Sequence, residues 1–209
     1  MSDSGTKLRL FIALEVPPKV RGNLSAVQEK LRQSEARVTW VKPDKMHLTL
    51  KFLGNVASDR TEDIAETLST AVESFASFPV EVFDVGTFPV GRRARVVWAG
   101  IKKGGEKVVQ LQAAVQKGMD SLGFPDEKRR FRPHLTIGRI KSSQKIGRML
   151  ELLKLSKNKK FGRFQVGFVS LIKSVLTSAG PDYTVLHKAN LRSVESKVED
   201  SNGKTKKNQ

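Results

Sequence analysis

The sequence predicts an α+β protein with largely antiparallel sheets. Three observations carry this. Segments of strand composition and segments of helical periodicity follow one another along the 209 residues in the order β α β β α β β α β α β β. Several of the strand pairs have no helix between them, which a parallel sheet would require. No GxGxxG or Walker-type glycine loop opens a helix after a strand, as a doubly wound nucleotide-binding sheet would need. A chain of this length fits one domain.

Residues 7–16 (KLRLFIALEV) have strand composition, and Pro17-Pro18 ends the strand. Proline is tolerated in a first helical turn, so a helix follows over 19–35. Residues 38–41 read as a short strand, Pro43-Asp44 as a turn, and 46–53 (MHLTLKFL) as a strand. Ser58 or Asp59 can cap a helix reaching Phe75, on which Ile64, Leu68 and Val72 share a face at a spacing of four. Residues 78–90 and 95–101 are strands joined by Gly91-Arg92-Arg93. Val108, Leu111, Val115, Met119 and Leu122 form an apolar helical stripe that Gly123 terminates. A strand over 133–140, a helix over 144–155, and strands over 161–176 and 183–191 around a Gly180-Pro181-Asp182 turn complete the domain, which spans 8–191. Residues 1–7 form a polar tail. Residues 192–209, charged and without apolar periodicity, are expected to be a disordered basic tail.

Composition narrows the function. With no cysteine, neither disulfides nor thiolate zinc sites are available, and the three histidines show no HExxH or paired-ligand spacing, so neither metal nor cofactor is expected. No apolar run approaches the roughly 20 residues of a membrane span. The first apolar stretch contains Arg9 and Glu15 and lacks a cleavage site, so a cytoplasmic protein is expected. Lys plus Arg number 38 against 21 Asp plus Glu, a formal charge of +17, which attracts polyanions such as RNA. From Leu191 onward the chain holds five basic and three acidic residues, so most of the excess lies on the folded body.

Two of the three histidines stand in nearly the same words, His47-Leu48-Thr49-Leu50 and His134-Leu135-Thr136-Ile137, about half a chain apart. In an extended strand side chains alternate, so each His and Thr face one way while Leu48, Leu50, Leu135 and Ile137 face a core. Continuing the alternation puts Lys51 beside His47 and Thr49, and Arg132 beside His134 and Thr136. A single such His is more often a satisfied polar group than a catalyst; repetition at half-chain spacing reverses that reading. His187, with no Thr two residues later, is expected at the surface.

Two imidazoles, two hydroxyls and two cations suit hydrolysis of a cyclic phosphodiester. One imidazole takes a proton from the attacking water and the other gives one to the departing oxygen. Thr hydroxyls and cations hold the non-bridging oxygens against the charge that grows in the transition state. No step needs a metal. Arg92, Arg93 and Arg95 on one loop, and Lys128, Arg129 and Arg130 before the second motif, are candidate RNA contacts. Phe11, Phe52 and Trp40 are candidates to stack on a base.

At these residues the chain resembles the two-histidine phosphoesterase superfamily, and within it the RNA 2′,3′-cyclic phosphodiesterases, also called the 2′-5′ RNA ligase family. The matching words are RLFIALEVP at 9–17, WVKPDKMHLTLKFLG at 40–54, FRPHLTIGRI at 131–140 and SVLTSAGPDY at 174–183. The resemblance implies a bilobal fold, two similar lobes each with an antiparallel sheet and outer helices, enclosing a cleft where the motifs meet. It implies opening of a terminal 2′,3′-cyclic phosphate on RNA to a 2′-phosphate, with 2′-5′ joining of tRNA halves in the reverse direction in some members. His47 would then protonate the leaving 3′ oxygen, His134 would activate water, and Thr49 and Thr136 would hold the phosphate. RNA ends are the expected partners, and a monomer is expected. Two other readings compete: a basic RNA-binding module without turnover, and a phosphodiesterase of small cyclic nucleotides or 2′-5′ oligoadenylate.

Overall fold

The computed structural model describes residues 6–126, 129–178 and 180–193. Most of both expected tails and Lys128 lie outside the described residues. Nine strands and four α-helices occur among them: β1 (Lys7–Glu15), α1 (Pro18–Arg32), β2 (Val38–Trp40), β3 (His47–Ala57), α2 (Thr61–Val72), β4 (Phe78–Phe88), β5 (Val96–Ile101), α3 (Gly105–Ser121), β6 (His134–Ile140), α4 (Ile146–Lys154), β7 (Lys160–Val166), β8 (Phe168–Thr177) and β9 (Gly180–Asn190).

The strands form two sheets, β3-β1-β8-β9 and β2-β6-β5-β4-β7, with every neighbouring pair antiparallel. Apart from the extra edge strand β2, the sheets correspond strand for strand: β3 to β6, β1 to β5, β8 to β4, and β9 to β7. The lobes are therefore pseudo-symmetric, but neither is one half of the chain. The connection α1, which leaves the first sheet, packs on β6 and β7 of the second, while α3, which leaves the second, packs on α2 and β3. Swapped helices draw the two sheets together, and β3 and β6, the motif strands, lie against each other.

Burial follows the expected apolar faces. Ile64, Leu68 and Val72 of α2 and Val108, Leu111, Val115 and Met119 of α3 are buried, as are Leu48, Leu50, Leu135 and Ile137. Three local expectations shift. The segment expected as one strand over 161–176 is two, broken at Gly167, because the chain there leaves the second sheet for the first. The last hairpin reverses before Gly180, so Pro181 already pairs with Leu176. Helix α2 starts at Thr61 after a 3₁₀ turn, and Thr61 Oγ1 donates to the Ser58 carbonyl at 2.8 Å, so neither Ser58 nor Asp59 caps it. No helix among the described residues is long and apolar enough to cross a membrane.

Candidate active site

A cavity of about 580 Å³ lies between the lobes, and His47, Thr49, His134 and Thr136 all line it. Both motifs begin a strand, and the two histidines are held alike. His47 Nδ1 meets the Lys45 carbonyl at 2.9 Å, and His134 Nδ1 meets the Arg132 carbonyl at 2.7 Å, each two residues upstream. A carbonyl only accepts, so Nδ1 carries the proton and Nε2 remains the nitrogen available to the cavity.

Their surroundings differ. The His47 ring sits against Phe11 (centroids 4.7 Å) and edge-on to Tyr183 (5.3 Å). Burial there pushes its pKa down to about 4, helped by the Arg139 charge and opposed by the Lys45 carbonyl, so the ring is neutral at pH 7. His134 has Phe88 at 5.3 Å, nearly perpendicular. Glu15 pairs with His47 across β1 and β3, yet its carboxylate is turned away, accepting from Ser170 Oγ at 2.7 Å and Lys188 at 3.1 Å.

Lys51 is not in the cleft. In β3 a bulge falls between the pairs Ile12↔Lys51 and Ala13↔Thr49, leaving Leu50 as the extra residue. One extra residue reverses the alternation, so Lys51 turns into the lobe and Phe52 turns out. The Lys51 side chain is 1% exposed, donating from Nζ to Gln116 Oε1 of α3 at 2.9 Å and to the Pro125 carbonyl at 2.8 Å. The bulge recurs in β6 between Val97↔Gly138 and Trp98↔Thr136. There Gly138 takes the place of Lys51; a Cβ on it would come within 2.9 Å of the Trp40 ring. The Ile137 carbonyl left by this bulge accepts from Val41 N at 3.1 Å and from buried Gln28 Nε2 at 2.7 Å, which satisfies it inside the lobe.

The residue turned into the cleft in β6 is Arg139, the counterpart of Phe52. Sequence reasoning missed it. Its signal was the shared spacing of five from each motif histidine, legible only once the bulge is known. Arg9, Lys45 and Tyr183 also line the cavity and were missed. Lys45 is anchored by Asp182 at 2.8 Å, a hydrogen bond that raises its pKa and lowers that of Asp182.

Of the other candidates, Phe11, Phe52 and Trp40 line the cavity, Phe52 with 55% of its surface exposed. Arg132 precedes β6 instead of continuing it, so strand alternation does not aim it. Its guanidinium is absent from the cavity wall and its carbonyl is what touches His134. Arg92, Arg93, Arg95, Arg129 and Arg130 are exposed and also lie off the wall. His187 is half-buried rather than superficial, since β9 packs on α2 and brings its Nε2 within 2.8 Å of Ser69 Oγ. Among the described residues, no three His, Asp or Glu side chains cluster in a way that could hold a metal ion.

Two pseudo-symmetric lobes that each deliver one His-x-Thr strand to a shared cleft define a two-histidine phosphoesterase architecture, and comparison with known proteins agrees. The chain belongs to the 2′-5′ RNA ligase superfamily, whose model matches residues 12–176. Among curated relatives, the RNA 2′,3′-cyclic phosphodiesterase of Methanothermobacter thermautotrophicus is 34% identical over 178 residues, covering 85% of this chain and 96% of its own. The enzyme of that name from Thermotoga maritima is 34% identical over 182 residues, covering 86% and 94%. A crystal structure from Thermus thermophilus superposes with a TM-score of 0.74 at 28% identity, covering 89% of this chain and 99% of that one. Escherichia coli LigT shares the fold, with a TM-score of 0.71 at 24% identity over 88% and 98%.

Proposed function

We propose that this chain hydrolyses the terminal 2′,3′-cyclic phosphate of RNA to a 2′-phosphate by two-histidine acid and base catalysis, without a metal. The observation that carries the reading is the pair of imidazoles on opposite lobes of one cavity, each locked in the same tautomer by the carbonyl two residues before it. In the reaction, His134 Nε2 takes a proton from water as its oxygen attacks phosphorus. The bond from phosphorus to the 3′ oxygen breaks, and that oxygen leaves with a proton from His47 Nε2. Thr49 and Thr136 hydroxyls and the Arg139 guanidinium face the non-bridging oxygens, where hydrogen bonds strengthen as charge develops.

With its pKa lowered to about 4, His47 is neutral at pH 7 on its own, so it must gain its proton as substrate enters. A phosphate anion within a few ångström favours the imidazolium and offsets the burial that lowers its pKa. Phe52 and Phe11 are placed to meet the terminal base. With a 5′-hydroxyl group in place of water as the nucleophile, the same groups acting in the same sense would form a 2′-5′ linkage as the 3′ oxygen leaves. Both histidines come from one chain, so a monomer suffices, and the partner is an RNA end.

The test is an RNA carrying a terminal cyclic phosphate, with products separated by chromatography. His47→Ala and His134→Ala should each abolish turnover, EDTA should leave the wild type unchanged, and the product should be the 2′-phosphate. Full activity in either variant, or a requirement for added metal, refutes the reading.

A further inference from the structure

Tyr183 is the one tyrosine in the chain, and its hydroxyl is unused by the steps above. It lies in β9, at the opposite edge of its sheet from β3. Three strand spacings in a flat sheet would separate those edges by about 14 Å. The Tyr183 ring nevertheless comes within 5.3 Å of the His47 ring and 5.1 Å of Phe11 on β1, so the sheet curls and the side chain reaches back across the cleft face. The Lys45 ammonium lies 5.5 Å from the ring centre on its face. Ring and cation contacts therefore hold the side chain in place, and a phenylalanine would make all of them.

The hydroxyl is what phenylalanine would lack, and among the described residues it makes no hydrogen bond. Its oxygen is not among the buried polar atoms left without a partner, so it stays accessible and can donate to a ligand in the cavity it lines. Tyr183 borders the large cavity and a second one of about 370 Å³ beyond it, standing with Lys45 and His47 as the wall between them. Ser174, its register partner on β8, lines the large cavity as well. The nearby carboxylates are committed elsewhere: Asp182 to Lys45 and the Tyr183 amide, Glu15 to Ser170 and Lys188. The charges acting on the phenol are Arg139, Arg9 and Lys45; burial outweighs them and raises its pKa, which keeps it a protonated donor.

We propose that Tyr183 is a substrate-binding residue whose hydroxyl donates a hydrogen bond to an anionic phosphate oxygen held in the large cavity. Arg9 and Arg139 draw the anion to that end of the cleft, Lys45 being paired with Asp182, and the neutral donor fixes its orientation. This rests on the reaction proposed above, and makes the curled edge strand β9 part of the phosphate site instead of mere support for His47.

The test compares Tyr183→Phe with the wild type in three measurements: steady-state kinetics on an RNA ending in a 2′,3′-cyclic phosphate, calorimetric binding of 2′-AMP, and thermal unfolding. Loss of one hydrogen bond to a charged group should raise both KM and the 2′-AMP Kd by about tenfold. The turnover number should stay within about threefold and the melting temperature should not fall. Wild-type affinity for 2′-AMP in the variant overturns the proposal, as does an equal loss of affinity for uncharged adenosine. If the wild type leaves the cyclic phosphate intact yet binds 2′-AMP in a Tyr183-dependent way, the proposed reaction fails and the binding role stands.

Discussion

Replacing Lys51 with methionine separates two roles for one side chain. Lys51→Met keeps the length and removes the ammonium, leaving the Gln116 Oε1 and Pro125 carbonyl acceptors without this donor. Each unsatisfied buried acceptor costs about 1–3 kcal/mol. Against that, an ammonium 1% exposed no longer has to be desolvated, which recovers several kcal/mol of opposing penalty. The net expectation is a loss of about 2 kcal/mol, and at this chain length a fall in melting temperature of about 4–8 °C. Turnover is expected within about threefold of wild type, because the ammonium faces α3 and the cavity does not include it. The assay is calorimetric unfolding beside kcat/KM on a cyclic-phosphate RNA. A drop of more than tenfold in kcat/KM at unchanged melting temperature would refute the reasoning and return Lys51 to the phosphate.

Arg139→Gln should act the other way, raising KM for the cyclic phosphate by about 10- to 100-fold, from loss of a hydrogen bond to a charged group, with little change in melting temperature. Arg139 also lowers the His47 pKa, so the variant's pH profile should shift upward; an unmoved profile and KM would show that the guanidinium does not serve the cleft. Acid sensitivity is expected from His47 itself. Its folded pKa of about 4 lies below the unfolded 6.5, so between those values the unfolded chain binds the proton that the folded one refuses, and stability falls as pH drops through that window. The loss amounts to about 1.4 kcal/mol per pH unit and about 3 kcal/mol in all. His47→Gln should remove this slope, leaving only what the other groups contribute; parallel melting curves of the two proteins from pH 7 to 4 would contradict it.

The repeated His-x-Thr words were legible in the sequence because strand alternation is local. A period of two needs no knowledge of neighbours to put His47 with Thr49, and His134 with Thr136, and burial of Leu48, Leu50, Leu135 and Ile137 on the other face completes the pattern. The same rule misplaced Lys51 and missed Arg139, because a bulge is a property of two paired strands. Nothing in HLTLK or HLTIG announces where β1 or β5 will skip a residue. Arg132 was misplaced for a related reason: β6 begins at His134, so the alternation did not extend back to it.

Tyr183 and His187 show the longer-range limit. Their partners, His47 and Ser69, lie more than a hundred residues away, and only the curl of one sheet and the packing of α2 on β9 bring them together. By itself, then, the sequence determined the α+β class, the polyanion-seeking charge and the four motif side chains, all of which rest on composition or on contacts within one strand. The tertiary structure decided which cations face the cleft, how each histidine is buried, and that each lobe is built from both halves of the chain. Those depend on which strands pair and where their register slips, and that is set by packing between segments far apart along the chain.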